Sequence, residues 1–128
     1  MSVEENKAVV RQFIEEVFIQ HDSSNIDELV SNESLKQIAP GTVQAFPDME
    51  MTVEQLIAES DLVAVRVSAA ATHKGEFRGI AATGRRWEAT ASAWYQVRDG
   101  KISDFWVNWD WLAIMEAIGA VQRVEPSH

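Results

Sequence analysis

Few side chains in this sequence could move a proton or hold an ion, and their spacing limits what each could do. His73 closes an alternating run, Asp110 stands directly before Trp111-Leu112-Ala113, and Asp104 sits between Ser103 and Phe105. An imidazole titrates near neutral pH and desolvation raises a carboxylate toward it, so His73 and Asp110 are the candidate catalytic acid/base groups. Each has a plainer reading beside the chemical one. An Asp immediately ahead of an apolar helical stretch is an N-cap, a role worth about 1 kcal/mol, and this is the stronger reading of Asp110. A single His beside the Lys74-Gly75 turn is commonly a hydrogen-bonded structural residue. His21 and His128 fall in a loop and at the tail, and there is no cysteine, so no ligand spacing points to a metal and none is expected.

The remaining charged positions have structural explanations. Arg66 lies among valines on a strand but faces away from them, which suits an ion pair with Asp104 or Glu88, or a subunit contact. Thr83-Gly84-Arg85-Arg86 fits an anion site built from two guanidinium groups and fits a solvated turn equally well. Asp48 after Pro47 suits local backbone donors in a turn, and Met49 and Met51 suit core or pocket lining.

The elements that carry these residues follow from periodicity. Val9, Val10, Phe13, Ile14, Val17 and Phe18 form a helical stripe, with Ser2 and Glu5 spaced as a capping box. A short helix is expected over 25–30, capped by Ser24, and a loop with one turn of helix over 31–47, where Pro40-Gly41 and Pro47 interrupt any period. From Met49 the pattern alternates, giving one strand through Ala58 and another over 62–73 whose odd positions, Val63 to Ala71, look buried. Strands over 87–98 and 102–109 flank Asp99-Gly100, a pair suited to the positive φ of a tight hairpin. A helix over 111–118 follows, with Gly119 as its C′ residue. Helices first and then an antiparallel meander imply an α+β fold in which helices cover one face of a bent sheet and leave a cone with an open mouth.

Composition narrows the function further. The 128 residues carry 20 acidic against 11 basic side chains, a formal charge of −9 that disfavours nucleic acid and anionic membranes as partners. A chain of this size, 46% apolar, is expected to form one domain, 1–128. The acidic start and the lack of a long apolar run lead to an expectation of a soluble cytoplasmic protein. The five tryptophans divide by strand parity: Trp87 and Trp109 inward, Trp94 and Trp106 outward, and Trp111 in the closing helix.

The ordered series Ala45-Phe46-Pro47-Asp48-Met49, Asp61-Leu62-Val63-Ala64-Val65-Arg66, Thr72-His73-Lys74-Gly75-Glu76-Phe77-Arg78-Gly79-Ile80, Thr83-Gly84-Arg85-Arg86, Asp99-Gly100-Lys101-Ile102 and Trp106 closely resembles the SnoaL-like polyketide cyclases, or ester cyclases, of the NTF2-like superfamily. The resemblance covers about 45–119. It implies the NTF2-like cone and a cofactor-free reaction in which a carboxylate removes a proton next to a carbonyl and an apolar cavity protects the enolate. The family's acid/base aspartate falls on Val107, and its polar glutamine and histidine fall on Ala91 and Ala93. The implied substrate-binding wall is therefore Trp87, Ala91, Ala93, Phe105, Val107 and Trp109, apolar throughout, with a hydrophobic small molecule as ligand and no cofactor. Three readings stay open: a cyclase-type enzyme, a non-catalytic small-molecule-binding module on the same cone, and an interaction module that docks through the sheet face bearing Trp94 and Trp106. Exposed Trp94 and Trp106 add the expectation of a homodimer through the convex face.

Overall fold

Ser2 opens the first helix as its pairing with Glu5 predicts. Its hydroxyl accepts from the Glu5 N–H at 3.1 Å, and the Glu5 carboxylate accepts from the Ser2 N–H at 3.3 Å. The computed structural model describes residues 2–122 and 124. Helix α1 (Val3–Ile14) runs directly into a π-helical turn, Glu15–Ile19. That wider turn brings residues five apart together, so Phe13 and Phe18 meet edge to face at 5.7 Å while Val10, Phe13, Ile14 and Val17 are buried. Helix α2 is the single turn Ile26–Leu29, and Ser24 does not cap it: the Ser24 N–H donates to Asp22 at 3.0 Å instead.

The expected loop over 31–47 is largely a helix, α3 (Glu33–Ala45). Asn32 caps it by accepting from the Leu35 N–H at 3.0 Å. Pro40 removes one backbone donor, a local penalty, but Leu35, Ala39 and Ala45 are buried on one face, and tertiary packing of that face outweighs propensity.

Four strands follow in sequence order as an antiparallel meander: β1 (Glu50–Glu59), β2 (Leu62–Thr72), β3 (Arg86–Arg98) and β4 (Lys101–Trp109). The odd positions of β2 and β3 are buried, as their alternation predicts. Two bulges keep apolar residues on the inner face. Between Val53 and Gln55 the β1 register slips, so Met51 and Val53 before it and Leu56 and Ala58 after it all pack inward. A second shift opposite Gln96 and Val97 lets Ile102 and Phe105 share that face. Asp99 and Gly100 both have positive φ, 51° and 77°, the geometry a two-residue hairpin requires. Helix α4 (Trp111–Ala117) closes the described fold, with Gly119 at φ 83° beyond it. The result is the α+β cone: α1 to α3 lie on the concave face of a curved four-stranded sheet. No helix among the described residues is long and apolar enough to cross a membrane.

Two charged residues have partners other than those expected. Arg66 pairs with neither Asp104 nor Glu88; its Nε donates to Gln55 Oε1 at 3.2 Å, because Gln55 lies directly across the β1–β2 ladder. Asp48 does not serve a local turn. Its Oδ1 accepts from the Thr72 N–H at 2.8 Å, 24 residues away, and its Oδ2 lies 3.8 Å from Arg86 Nη1.

The Thr72 hydrogen bonds, reinforced by the Lys74 cation, hold the Asp48 carboxyl below the usual aspartate range. A depressed folded-state pKa stabilises the fold fully above the unfolded value and loses that contribution as pH falls through the folded one. Asp48→Asn keeps an acceptor oxygen but not the charge. Its stability deficit against the parent, read as the difference in urea midpoint, should be largest near pH 6 and should shrink on acidification toward pH 3. A deficit independent of pH would show that the charge contributes nothing.

Candidate functional site

Between the sheet and its helices lies a cavity of about 550 Å³, within the usual range for small-molecule sites. Its sheet wall is Met51 from β1, Val65 and Val67 from β2, Trp87, Ala91, Ala93 and Tyr95 from β3, and Phe105, Val107 and Trp109 from β4. All six residues assigned to the binding wall are thus brought together. Ala93 faces Val107, and Ala91 faces Trp109, directly across the β3–β4 ladder. The roof is Ile14 and Phe18 with Leu35, Ile38, Ala39 and Thr42 of α3. Those α3 positions recur at helical spacing, a signal that Pro40-Gly41 masks in the sequence.

A closed circuit of five aromatic rings surrounds one end. Phe46 meets Phe77 at 4.9 Å, Phe77 stacks on Trp111 at 5.7 Å, Trp111 meets Trp109 at 6.4 Å, Trp109 meets Trp87 at 6.0 Å, and Trp87 returns to Phe46 at 5.0 Å. All five line the cavity. Rings at such distances and tilts offer both faces and edges to a planar ligand. Phe46, Phe77 and Trp111 come from a helix end, a loop and the last helix, so no single periodicity announces them.

The chemistry-bearing candidates lie elsewhere. His73 is fully buried, its Nδ1 3.0 Å from Thr83 Oγ1 and accepting from the Thr83 N–H at 3.3 Å. It packs beside Phe46 and is not part of the cavity lining. Asp110 caps α4 by accepting from the Ala113 N–H at 3.1 Å, and it lines a shallow polar groove with Glu50 and Glu88. Asp104 accepts from the Phe105 N–H at 2.9 Å. His21 bonds the Met49 carbonyl through Nε2 at 2.9 Å, and His128 lies outside the described residues. Among the described residues no group of three or more His, Asp or Glu could hold a metal.

The ionisable groups that do line the cavity are Glu76, Arg78 and Tyr95. Burial pushes the Tyr95 phenol well above the ordinary tyrosine range, so it stays a neutral O–H donor. Trp87 Nε1 is buried and has no hydrogen-bond partner. An apolar enclosure with isolated donors can hold a ring system bearing an oxygen acceptor; its sheet wall carries no carboxylate or imidazole to move a proton.

The family is shown by sequence as well as by shape. The model of the SnoaL-like polyketide cyclases matches residues 3–118, so the chain belongs to that family, and the match takes in the N-terminal helices that precede the recognisable motif series. No curated protein matches the sequence significantly. Among solved structures, AclR from Streptomyces galilaeus, a proposed hydroxylase, is similar at 27% identity with a TM-score of 0.81, over 97% of this chain and 87% of its own. IdmH from Streptomyces antibioticus, a proposed polyketide cyclase, is also 27% identical, with a TM-score of 0.72 over 89% of this chain and 98% of its own. TsrD from Streptomyces laurentii shares the fold at 18% identity and a TM-score of 0.81, over 94% of this chain and 99% of its own.

The position of Asp110 gives a direct expectation. Asp110→Ala should lower stability by about 1 kcal/mol in urea unfolding, whereas Asp110→Asn, an equally good cap, should cost a few tenths at most. Equal losses in both variants would mean that the carboxylate charge, rather than the cap, is what the fold uses.

Proposed function

We propose that this protein encloses a hydrophobic, ring-containing small molecule and does so without the acid/base step of the family's cyclases. The observation that carries this reading is the run of apolar side chains at Ala91, Ala93 and Val107, the positions where the family resemblance expects a polar pair and a carboxylate. They are adjacent in the cavity wall, so the cavity gains room where it loses reactivity. Without a base next to the bound carbon, no enolate forms at an appreciable rate. His73 and Asp110 have no place in this reading, because neither lines the cavity: His73 Nδ1 is bonded to Thr83, and Asp110 Oδ1 caps α4.

Cyclase-type catalysis is the second reading, supported by family membership and by the Glu76 carboxylate on the lining. A neutral bicyclic ketone such as 2-tetralone separates the two. Its binding should quench tryptophan fluorescence, and Ala93→Phe, which fills the cavity, should weaken it at least tenfold. Deuterium exchange at its acidic C–H, followed by NMR, should proceed at the buffer rate with the parent and at least tenfold faster with Val107→Asp. Accelerated exchange by the parent would restore the enzyme reading; absence of binding by the parent would remove both.

The partner of the convex face is a second copy of the chain in this proposal. Ile57, Ala64, Trp94 and Trp106 form one row across all four strands, each directly opposite the next. Ile57, Trp94 and Trp106 are 67%, 48% and 49% exposed. One neighbouring row is polar, Gln55, Arg66, Ser92 and Asn108, and the other, Glu59, Leu62, Gln96 and Asp104, is polar apart from the exposed Leu62. A straight apolar stripe with polar borders is self-complementary about a twofold axis. Sedimentation at micromolar concentration should give a dimeric mass that Trp94→Lys reduces to a monomer; a monomeric parent would overturn the assignment.

A further inference from the structure

We propose that Arg78 is the anion-recognition residue of the cavity and that the natural ligand carries a carboxylate or similarly acidic oxygen on its apolar ring system. The inference deepens the binding reading above and rests on it.

Arg78 sits at the tip of a two-residue turn. Phe77 and Ile80 exchange both backbone hydrogen bonds, at 3.0 and 2.9 Å, and Arg78 and Gly79 between them have positive φ of 51° and 77°. A non-glycine residue in the left-handed region pays a conformational penalty, so a large side chain at the tip is not the choice that turn geometry favours. The turn is anchored at its base, where the Gly75 N–H donates to the Ala45 carbonyl at 3.1 Å. A Cβ on Gly75 would lie 3.1 Å from the Ala45 Cα and from the Gln44 carbonyl oxygen. The turn is therefore seated against the end of α3, and Arg78 is held over the aromatic circuit.

From there the guanidinium carbon sits 3.8 Å over the Trp111 ring centre and 5.7 Å from that of Phe77. A guanidinium stacked by its face keeps its in-plane N–H donors for other partners. Among the described residues nothing takes them. The molecule has 20 acidic side chains, and Arg86 and Arg98 lie near Asp48 and Asp61, yet Arg78 has no carboxylate partner and no hydrogen bond. It is also the one cation among the described residues of the cavity lining. Its surroundings reverse the sign of the chain as a whole: residues 74–86 contain Lys74, Arg78, Arg85 and Arg86 against the single carboxylate Glu76.

The Arg85-Arg86 pair, the alternative anion site in the sequence, does not meet the cavity. Arg86 is 3.8 Å from Asp48, and Arg85 lies against Gly119 in a separate shallow groove with Glu116. Among the described residues, the charged donors available to a ligand at this end are those of Arg78. An aromatic body within the cavity and an acidic oxygen at the turn would satisfy the apolar wall and the fork together, through charge-assisted bonds stronger than neutral ones.

The test compares anthraquinone-2-carboxylate with the neutral anthraquinone-2-carboxamide, titrated by tryptophan quenching and calorimetry. The parent should bind the carboxylate about tenfold more tightly, and the preference should fall as salt rises. In Arg78→Gln the preference should fall to about one, because the carboxylate loses about tenfold more affinity than the carboxamide. Arg78→Gly, suited to the positive φ, gives the same reading should the glutamine variant fold poorly. Equal binding of both probes by the parent, or a preference that survives both substitutions, overturns the role of Arg78 and leaves the cavity reading intact. Failure of both probes to bind the parent removes the cavity reading as well.

Discussion

The structure depends on the strict alternation of side chains along β3. Its inward positions run Trp87, Ala89, Ala91, Ala93, Tyr95 and Val97, and its outward ones run Glu88, Thr90, Ser92 and Trp94. Large residues at the two ends with alanines between them make a sheet whose middle cannot fill its own concavity. Across the ladders the small residues continue, with Ala69 facing Ala89 and Val67 facing Ala91. The helices rest on the large residues at the ends: Phe13 of α1 meets Tyr95 at 5.8 Å, and Phe46 beyond α3 meets Trp87. A one-residue slip would send Trp94 inward and Ala93 outward, closing the cavity and exposing the core at once.

Much of this was legible because strands write their geometry at short range. The parities of β2 and β3, the Asp99-Gly100 turn, the Ser2/Glu5 box and the Asp110 cap each depend on residues within a few positions of one another. The six wall residues followed from parity combined with the family resemblance. What escaped depends on distance in the sequence. Helix α3 is hidden because Pro40-Gly41 carries a strong local signal for a break, whereas the gain from burying Leu35 and Ala39 appears only when the π-helical turn Glu15–Ile19 and the core cluster it belongs to are in place. Asp48 looked local because nothing in the sequence announces that Thr72 will be its donor. The aromatic circuit joins residues from position 46 to position 111, and only the third dimension closes it.

The same distinction separates the two ends of the cavity. The closed end is built by regular elements, and chemical groups there are apolar because strand alternation places them on a wall shared with the core. The ring-lined end adds to Trp87 of β3 and Trp109 of β4 the 74–85 connection, the chain after α3, and α4. Loops tolerate changes of charge and shape that a packed sheet does not. Recognition chemistry that differs between relatives of one fold is therefore expected at this end, where Arg78 stands on Trp111, while the interior sets only size and hydrophobicity.

The alanines themselves bear on whether the cavity is occupied. A buried leucine or isoleucine side chain contributes roughly 1.5–3 kcal/mol relative to an exposed one, and Ala91 and Ala93 each forgo most of that amount. Natural domains are only about 5–15 kcal/mol stable, so two such omissions on adjacent inner positions are a large fraction of what the fold has to spare. Stability alone would favour filling the space, since extra buried methylenes in an empty apolar region meet no opposing atoms. On the proposed reading, a bound ring system would supply the missing contacts and return the free energy as binding, the condition under which small residues at 91 and 93 are an advantage rather than a defect.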